Sequence, residues 1–472
     1  MTSLTKYLLS KITIFSSLPP QVITQKVNAV QLTTVLLLLS LNQHGYAAVS
    51  EEQLKNLGTK LTPLGAERAG NKSGTIPEWV GDKKKADLIA VTLADDTPLF
   101  TITASNADQY AEQLSLGQKT LFAAYPDTFR MPVYPSRRLH NVPKSQYAAA
   151  RKNALESKLV DNGNGFTNAW PGVPFPIPQN SLEVLWNHMI SWKGLYLKAN
   201  IVEAAVYSNG SVSIIKSTME VAMPFYEPNR EKITDNSVFL YYMTTTRSPA
   251  RLAGGASLSY ESTNPILYPR KNWIYVSGQR RVRRLPALEY DTPNMNSEHI
   301  RVVDEINLFN GSPDRYNWQL MGKKEIYIPY NNNALAQNTK DYDNLLTPYH
   351  LNPASTRYEL HRVWVLDATL KKGKRHVYPR RILYIDEDSW SAVIAEQYNS
   401  KNQLWRISLS YTQYYPDMPG TMAVLDAFHD LTKQSHYIQL FTNVKGDAIQ
   451  FFNVMPDKKY FSPASLRRNS IR

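Results

Sequence analysis

The feature that most constrains this chain is a change of hydrophobic period at Tyr196. Downstream of it, apolar and polar side chains alternate in one short run after another, and a period of two is what a strand needs to bury one face. The runs 196–207, 210–222, 238–246, 271–277, 358–370, 376–386, 390–399 and 403–415 have strand length and are rich in β-branched and aromatic residues. Turn residues such as Ser208-Asn209-Gly210, Ser277-Gly278 and Asn399-Ser400-Lys401-Asn402 separate several of them. Short connections make antiparallel neighbours, so the pattern predicts a meander. The alternation is cleanest in 403–415, with Trp405, Ile407, Leu409 and Tyr411 on one face and Arg406, Ser408, Ser410 and Thr412 on the other. That predicts one buried and one wet face. Residues 286–357, mostly Asn, Pro, Asp and Tyr, carry little periodicity and read as loops and short elements crossing the sheet.

Upstream the signals change. Residues 51–98 are rich in Gly, Pro, Lys and Asp and read as an extended, wrapping segment. A helix is predicted from Asn106 to Tyr125, stopped by Pro126, whose ring disfavours helical geometry in the residue before it. A second fits 144–160. A third, over 180–192, opens on Asn180 with Glu183 three positions on, a variant of the capping box, and carries Leu182, Leu185, Trp186, Met189 and Ile190 at helical spacing. The 29 tyrosines and 29 prolines against 20 glycines also favour strands over helical bundles. The expected class is α+β and β-rich, with 48–472 as one domain: wrap and helices over 48–195, mostly antiparallel strands over 196–472.

The N-terminus reads as an export signal. Val27 to Leu41 is apolar, Lys6, Lys11 and Lys26 precede it or open it, and no acidic residue occurs before Glu51. Gly45-Tyr46-Ala47-Ala48 then offers a cleavage point after Ala47, giving a signal peptide over 1–47 and a mature protein in the periplasm; an uncleaved anchor is the alternative. With 53 Lys and Arg against 40 Asp and Glu, the formal charge is +13. In an exported protein this points to anionic envelope surfaces and not to nucleic acid. The chain has no cysteine, which excludes disulfides, thiolate metal sites and an acylated N-terminal cysteine.

Motifs for chemistry are sparse. There is no G-x-S-x-G elbow, no H-E-x-x-H and no P-loop, and Gly163-Asn164-Gly165 lacks the third glycine of a dinucleotide fingerprint. Asp386-Glu387-Asp388 lies between two strand patterns and reads as a solvated hairpin tip, so neither metal nor cofactor is expected. His361 and His376, with Glu359 or Asp367 as orienting carboxylates, could form a base; without a nucleophile at matching spacing they read as satisfied strand histidines. Arg280, Arg281, Arg283 and Arg284 read either as a solvated edge that discourages edge pairing or as a clamp for an anionic head group or acidic partner. Tryptophan is the unusual supply: Trp186, Trp192, Trp273, Trp364, Trp390 and Trp405 all fall in predicted strands or near the third helix. Most are core. A cavity between sheet and helices would draw on Trp186, Met189, Trp364, Trp405, Ile407, Leu409 and Tyr411, with the 403–415 face beneath the 180–192 helix or lining the space beside it.

Several runs carry a resemblance: GTKLTPLGAERAGNKSGTIPEW (58–79), YPDTFRMPVYP (125–135), PFPIPQNSLEVLWNH (174–188), FNGSPDRYNWQLMGKKEIYIPYNN (309–332) and YIDEDSWSAVIAEQY (384–398). In order and over the whole mature chain, they resemble the bacterial domain-of-unknown-function family 1329, grouped with the LolA/LolB-like outer-membrane lipoprotein-sorting carriers. The resemblance implies a strongly curved antiparallel sheet, an open half-barrel covered by helices over an apolar cavity. It also implies an exported protein, soluble or associated with the outer membrane, working beside a resistance-nodulation-division type exporter and an outer-membrane protein. No catalytic residue comes with it. Within its motifs Gly311, Pro313, Asp314 and Arg315 read as a turn with a local charge pair, and Trp390 as sheet core. The expected function is non-catalytic carriage of a hydrophobic ligand. The alternatives are an envelope hydrolase of hydrophobic esters using His361 or His376, and a structural partner in a transport assembly.

Overall fold

The computed structural model describes residues 49–81, 96–228, 230–233, 237–285, 290–337, 342–441 and 449–470; the predicted signal peptide lies outside the described residues. Two antiparallel meanders dominate. The first runs β5 (Tyr196–Val206), β6 (Val212–Ala222), β7 (Val238–Ser248), β8 (Ala256–Ser262), β9 (Lys271–Val276) and β10 (Arg281–Leu285). The second runs β12 (Tyr358–Leu370), β13 (Arg380–Asp386), β14 (Ala392–Tyr398), β15 (Leu404–Tyr415), β16 (Gly420–Asp430) and β17 (Ser435–Phe441). They join where β17 pairs antiparallel with β5, His436 opposite Val206. Short β1 (Phe100–Ile102) and β2 (Met131–Val133) extend the second meander, and β18 (Gln450–Phe452) adds to β5. The result is a 16-stranded sheet whose path ends in β1 on one side and β10 on the other, so it does not close. β3 (Lys158–Val160) and β4 (Gly165–Thr167) form a separate ribbon.

One strand corrects the reading of 286–357 as loops and short elements. β11 (Tyr316–Pro329) is fourteen residues long and pairs with β12 along its length. Tyr316, Trp318 and Leu320 alternate with the exposed Asn317 and Gln319, but Met321-Gly322-Lys323-Lys324-Glu325, at the register shift, interrupts the period before Ile326. Register shifts occur at Leu320/Lys323, Tyr384/Ile385, Gln397/Tyr398, Tyr411/Thr412, Lys216/Ser217 and Val238/Leu240. Bulges raise local twist and bend strands, which is how a sheet this wide curves.

Around β5 both faces of the sheet are covered. Val202, Ala204 and Val206 of β5 share one apolar core with Ile394, Leu409, Leu425 and Ile438, beneath helix α2 (Leu116–Ala124). Leu197, Ala199 and Ile201, on the other face of β5, pack with Trp186 and Ile190 of α4 (Ser181–Met189) and its C-cap. The expected wet face of β15 is therefore wrong: Arg406, Ser408, Ser410 and Thr412 are all buried. Arg406 donates to the Tyr378 hydroxyl at 2.6 Å and the His299 carbonyl at 2.9 Å and pairs with Asp430 at 3.1 Å. Chain from 299–312 lies over this face, a contact no local pattern announces.

The helices follow their caps. α1 (Glu51–Asn56) opens the wrap on a Ser50–Gln53 capping box. The helix expected over 106–125 is broken in two: a 3₁₀ turn, Ala107–Gln113, then α2, which starts anew at a Ser115–Gln118 capping box. α3 (Lys144–Glu156) stops four residues short of the expected end, where 158–160 becomes strand. In α4 the Asn180 side chain accepts from the Leu182 and Glu183 N–H groups at 3.0 and 3.1 Å.

Candidate functional site

A cavity lies on the α4 face. Trp186 and Met189 of α4 form one side, Leu197 of β5 with Met219 and Val221 of β6 the floor, and Phe239, Leu240 and Met422 continue it. Ile306, Asn307 and Asn310 close it from outside. Trp186 is held by its indole N–H, which donates to the Gly163 carbonyl at 3.0 Å. The interior leaves about 80 Å³ for the centres of water-sized molecules, room for a few waters at the ~10–15 Å³ that each needs. Ligand pockets are typically about 300–1,000 Å³, so the cavity as it stands is smaller than a drug-sized guest requires.

One end of the cavity is polar. Lys193, between α4 and β5, donates to the Ser191 hydroxyl at 2.8 Å. Among the described residues no carboxylate reaches ion-pair distance of it, and burial brings its ammonium down to about 8. Asp426 of β16 accepts the Ser410 hydroxyl at 2.6 Å, and burial pushes its carboxyl up to about 6. Glu261 and Arg270 pair at 2.6 Å, and Arg270 donates to the Asn310 carbonyl. An apolar channel ending beside a half-buried ammonium suits an amphipathic guest.

The residues expected around the cavity divide. Trp186 and Met189 line it. Ile407, Leu409 and Tyr411 are fully buried on the opposite face, where Ile407 meets α2 at Gly117, so they do not lie beneath the 180–192 helix. Trp364 stacks on Trp390 at 6.2 Å under the Lys323 ammonium, and Trp405 is a half-buried strand end beneath Arg406. Arg281, Arg283 and Arg284 are exposed on edge strand β10, with Arg280 just before it, outside the cavity lining. Sequence reasoning missed Lys193, just before β5, and Leu197, Met219, Met422 and Asp426 on β5, β6 and β16, which the β17–β5 junction and the crossing segment 306–312 bring around one space. For Met219 the only local sign was its place in an alternating run.

A second polar concentration corrects the reading of Asp386-Glu387-Asp388 as a solvated tip: they are 0%, 2% and 4% exposed. Arg138 grips Asp388 through two bonds, 2.7 and 2.9 Å, and reaches Glu387; Lys323 and Arg362 also bind Glu387, at 2.6 and 3.3 Å. Trp390, at φ 58, donates its indole N–H to the Leu64 carbonyl and fastens the N-terminal wrap to this hairpin. His361 lies beside Glu359 at 3.2 Å, which with Asp386 and Asp388 raises its pKa against the lowering effect of burial. His376 bonds Asp304 at 3.1 Å and accepts the Tyr378 N–H at 3.0 Å. His376, just outside a strand, is bonded at both nitrogens, His361 is bonded at Nε2, and neither lines the cavity. Asp367 orients no histidine; it binds Arg380 at 2.6 Å. Asp314 and Arg315 likewise do not pair with each other but with Lys374 and Asp291.

An open, curved β-sheet with helices and loops over an internal cavity is the class that fold and site define. Within it the chain belongs to the family described as Protein of unknown function (DUF1329), whose profile matches residues 101–467. The uncharacterized protein PA3922 of Pseudomonas aeruginosa is 40% identical over 451 residues, covering 93% of this chain and 98% of that one. Among solved structures, an outer membrane lipoprotein-sorting protein domain from Vibrio parahaemolyticus is similar at a TM-score of 0.42 and 14% identity, over 61% of this chain and 98% of that one. A DUF1329 family protein from Desulfovibrio piger gives 0.39 and 15%, over 58% and 92%.

Proposed function

We propose that this protein is a periplasmic carrier that shelters an amphipathic molecule, its apolar body along Trp186, Leu197 and Met219 and an anionic end against Lys193. The observation that carries this reading is the cavity itself: an apolar channel ending at an ammonium that, among the described residues, has no carboxylate within ion-pair distance, Asp426 acting on it only from further off. Burial at about 25 cal/mol per Å² supplies the affinity without any bond-making group. Met189, Met219 and Met422 give the walls side chains that reshape readily.

Loading requires an opening, and the backbone marks where. His188 clips α4 to the sheet by accepting the Ala392 N–H at 3.0 Å, and its other ring nitrogen bonds the Phe309 carbonyl of the covering segment at 3.1 Å. That segment also holds two successive non-glycine residues in the left-handed region, Asn307 at φ 51 and Leu308 at φ 67. Such strain persists only while surrounding contacts hold it, so this cover is the natural lid. At the rim, Pro265 lines the cavity and Ile266, Leu267 and Tyr268 stand exposed beside it, an apolar lip for meeting a membrane or another carrier. Among the described residues no helix is long and apolar enough to cross a membrane.

The test is native mass spectrometry of protein taken from the periplasm, with a fluorescent fatty acid as probe in solution. A co-purifying amphiphile, and loss of probe binding when Met219→Trp fills the cavity in a folded protein, are expected. An empty wild type that binds no probe, or a folded Met219→Trp that binds as well as wild type, would remove the carrier reading.

A further inference from the structure

Asp386 differs from the acids around it. Asp388, Glu387, Glu359 and Asp96 each lie within ion-pair distance of an arginine or lysine. Asp386, fully buried, has none among the described residues; its nearest basic group is His361 Nδ1, 4.0 Å from Oδ1. The two Asp386 oxygens are unequal. Oδ2 accepts the Ser389 N–H at 2.9 Å and the Ser389 hydroxyl at 2.6 Å. Oδ1 has no hydrogen-bond partner, although a buried, unpaired carboxylate oxygen is costly.

The 4.0 Å gap is too long for a hydrogen bond. Two donors of one tetrahedral ion, each bonded at about 2.0–2.2 Å, lie about 3.3–3.6 Å apart, so an ion between them would draw Nδ1 and Oδ1 together by about half an ångström. The histidine is oriented for that: Nε2 lies 3.2 Å from Glu359 Oε2, so it donates there and leaves the Nδ1 lone pair facing Asp386. Glu359 is fixed in turn by Arg357 at 2.7 Å and by the Arg137 N–H at 2.7 Å. Asp388 supplies a third donor, since one ligand atom from each of His361, Asp386 and Asp388 lies within 4.8 Å of the others. Its oxygens are engaged by Arg138, but a carboxylate oxygen carries a second lone pair.

We propose that His361, Asp386 and Asp388 bind a divalent transition-metal ion at the β13–β14 turn. One imidazole and two carboxylates, without sulfur, suit Zn²⁺ best and Mn²⁺ next, and do not suit Cu(I). All three ligands are buried, and Arg138 and Trp390 tie the same turn to the N-terminal segments. The ion's role is therefore to fix the β13–β14 turn against β12, and so to steady the surface on which Arg138 and Leu64 dock. This site is independent of the cavity and of the carrier reading.

The test is elemental analysis of untagged protein purified from its own periplasm, followed by chelator stripping and titration with Zn²⁺ or Mn²⁺ while Tm is read. About one ion per chain is expected, with Tm falling by several degrees on stripping and recovering on re-addition. His361→Gln and Asp386→Asn should abolish the metal-dependent part of Tm. Glu359→Gln, which keeps all three ligands, should weaken metal affinity about 10- to 100-fold. Should the variants not fold, the wild-type stoichiometry and titration decide alone. A metal-free wild type whose Tm is indifferent to both ions would overturn the proposal and leave protonated His361 as the counter-charge of Asp386.

Discussion

At the scale of single residues, burial of ionisable groups is the main lever. His436 of β17 is fully buried, neither ring nitrogen has a hydrogen-bond partner, and it stacks on His429 at 5.5 Å with His350 nearby. Burial, with those two histidines, holds its pKa well below the ordinary 6.5. The unfolded chain therefore takes up a proton first as pH falls, and stability is lost on the acid side of about 6.5. His436→Leu should raise Tm at neutral pH by removing an unpaired polar group. The gain should grow by about 1.4 kcal/mol one pH unit below the unfolded pKa. Equal gains at both pH values would show that His436 is not a neutral buried group.

In the proposed carrier, Lys193 is the residue on which ligand choice turns. Its ammonium titrates near 8, Asp426 near 6, and the facing Glu261 is neutralised by Arg270. For a long-chain alkyl sulfate, whose charge does not titrate, affinity should be highest where Lys193 is charged and Asp426 is protonated. It should fall as pH rises through 6 and again through 8. Lys193→Met should flatten the upper step, and a neutral alcohol of equal length should show neither. A pH-independent affinity for the sulfate would place its head group elsewhere.

At the scale of elements, the N-terminal wrap is fastened by close backbone approach. Gly65 has φ +98, and a Cβ built on it would fall 1.7 Å from the Pro176 carbonyl oxygen. Gly74, at φ +72, has nothing within 4 Å. Gly74→Ala should cost only the left-handed strain, about 1–2 kcal/mol. Gly65→Ala should cost clearly more, because backbone cannot move aside as a side-chain tip can. Denaturant midpoints of the two variants measure the difference; similar losses would mean that the wrap does not dock at 175–177.

At the scale of the molecule, the two meanders share one cooperative core. β5 and β17 pair, and the cluster beneath α2 includes Val202 and Ala204 from the first meander and Leu409 and Val363 from the second. Residues 48–472 should therefore unfold in one calorimetric transition, with equal van't Hoff and calorimetric enthalpies. Two resolved transitions would show that the β5–β17 junction is weaker than either half.

What the sequence determined by itself was local. Eight runs of period-two alternation fall on eight strands, because alternation is a direct consequence of backbone pleat and needs no partner to be visible. Helix α4 was legible from Asn180 and its apolar stripe for the same reason. The runs in the motifs also carried the family. Tertiary structure alone decided what depends on distant chain. It set β11, whose alternation breaks at the Leu320/Lys323 register shift, along the whole of β12, and it covered the second face of β15 so that Ser408 and Ser410 are buried beside Arg406. It also put Leu409 in the core opposite the cavity and not inside it. Asp386, Glu387 and Asp388 look like a solvated tip until Arg138 and Lys323 arrive from remote positions, since the cost of burying a charge is offset only by partners that folding brings. Periodicity fixes which residues share a face; which face receives which cover is set by the β5–β17 pairing and by the segments that cross the sheet.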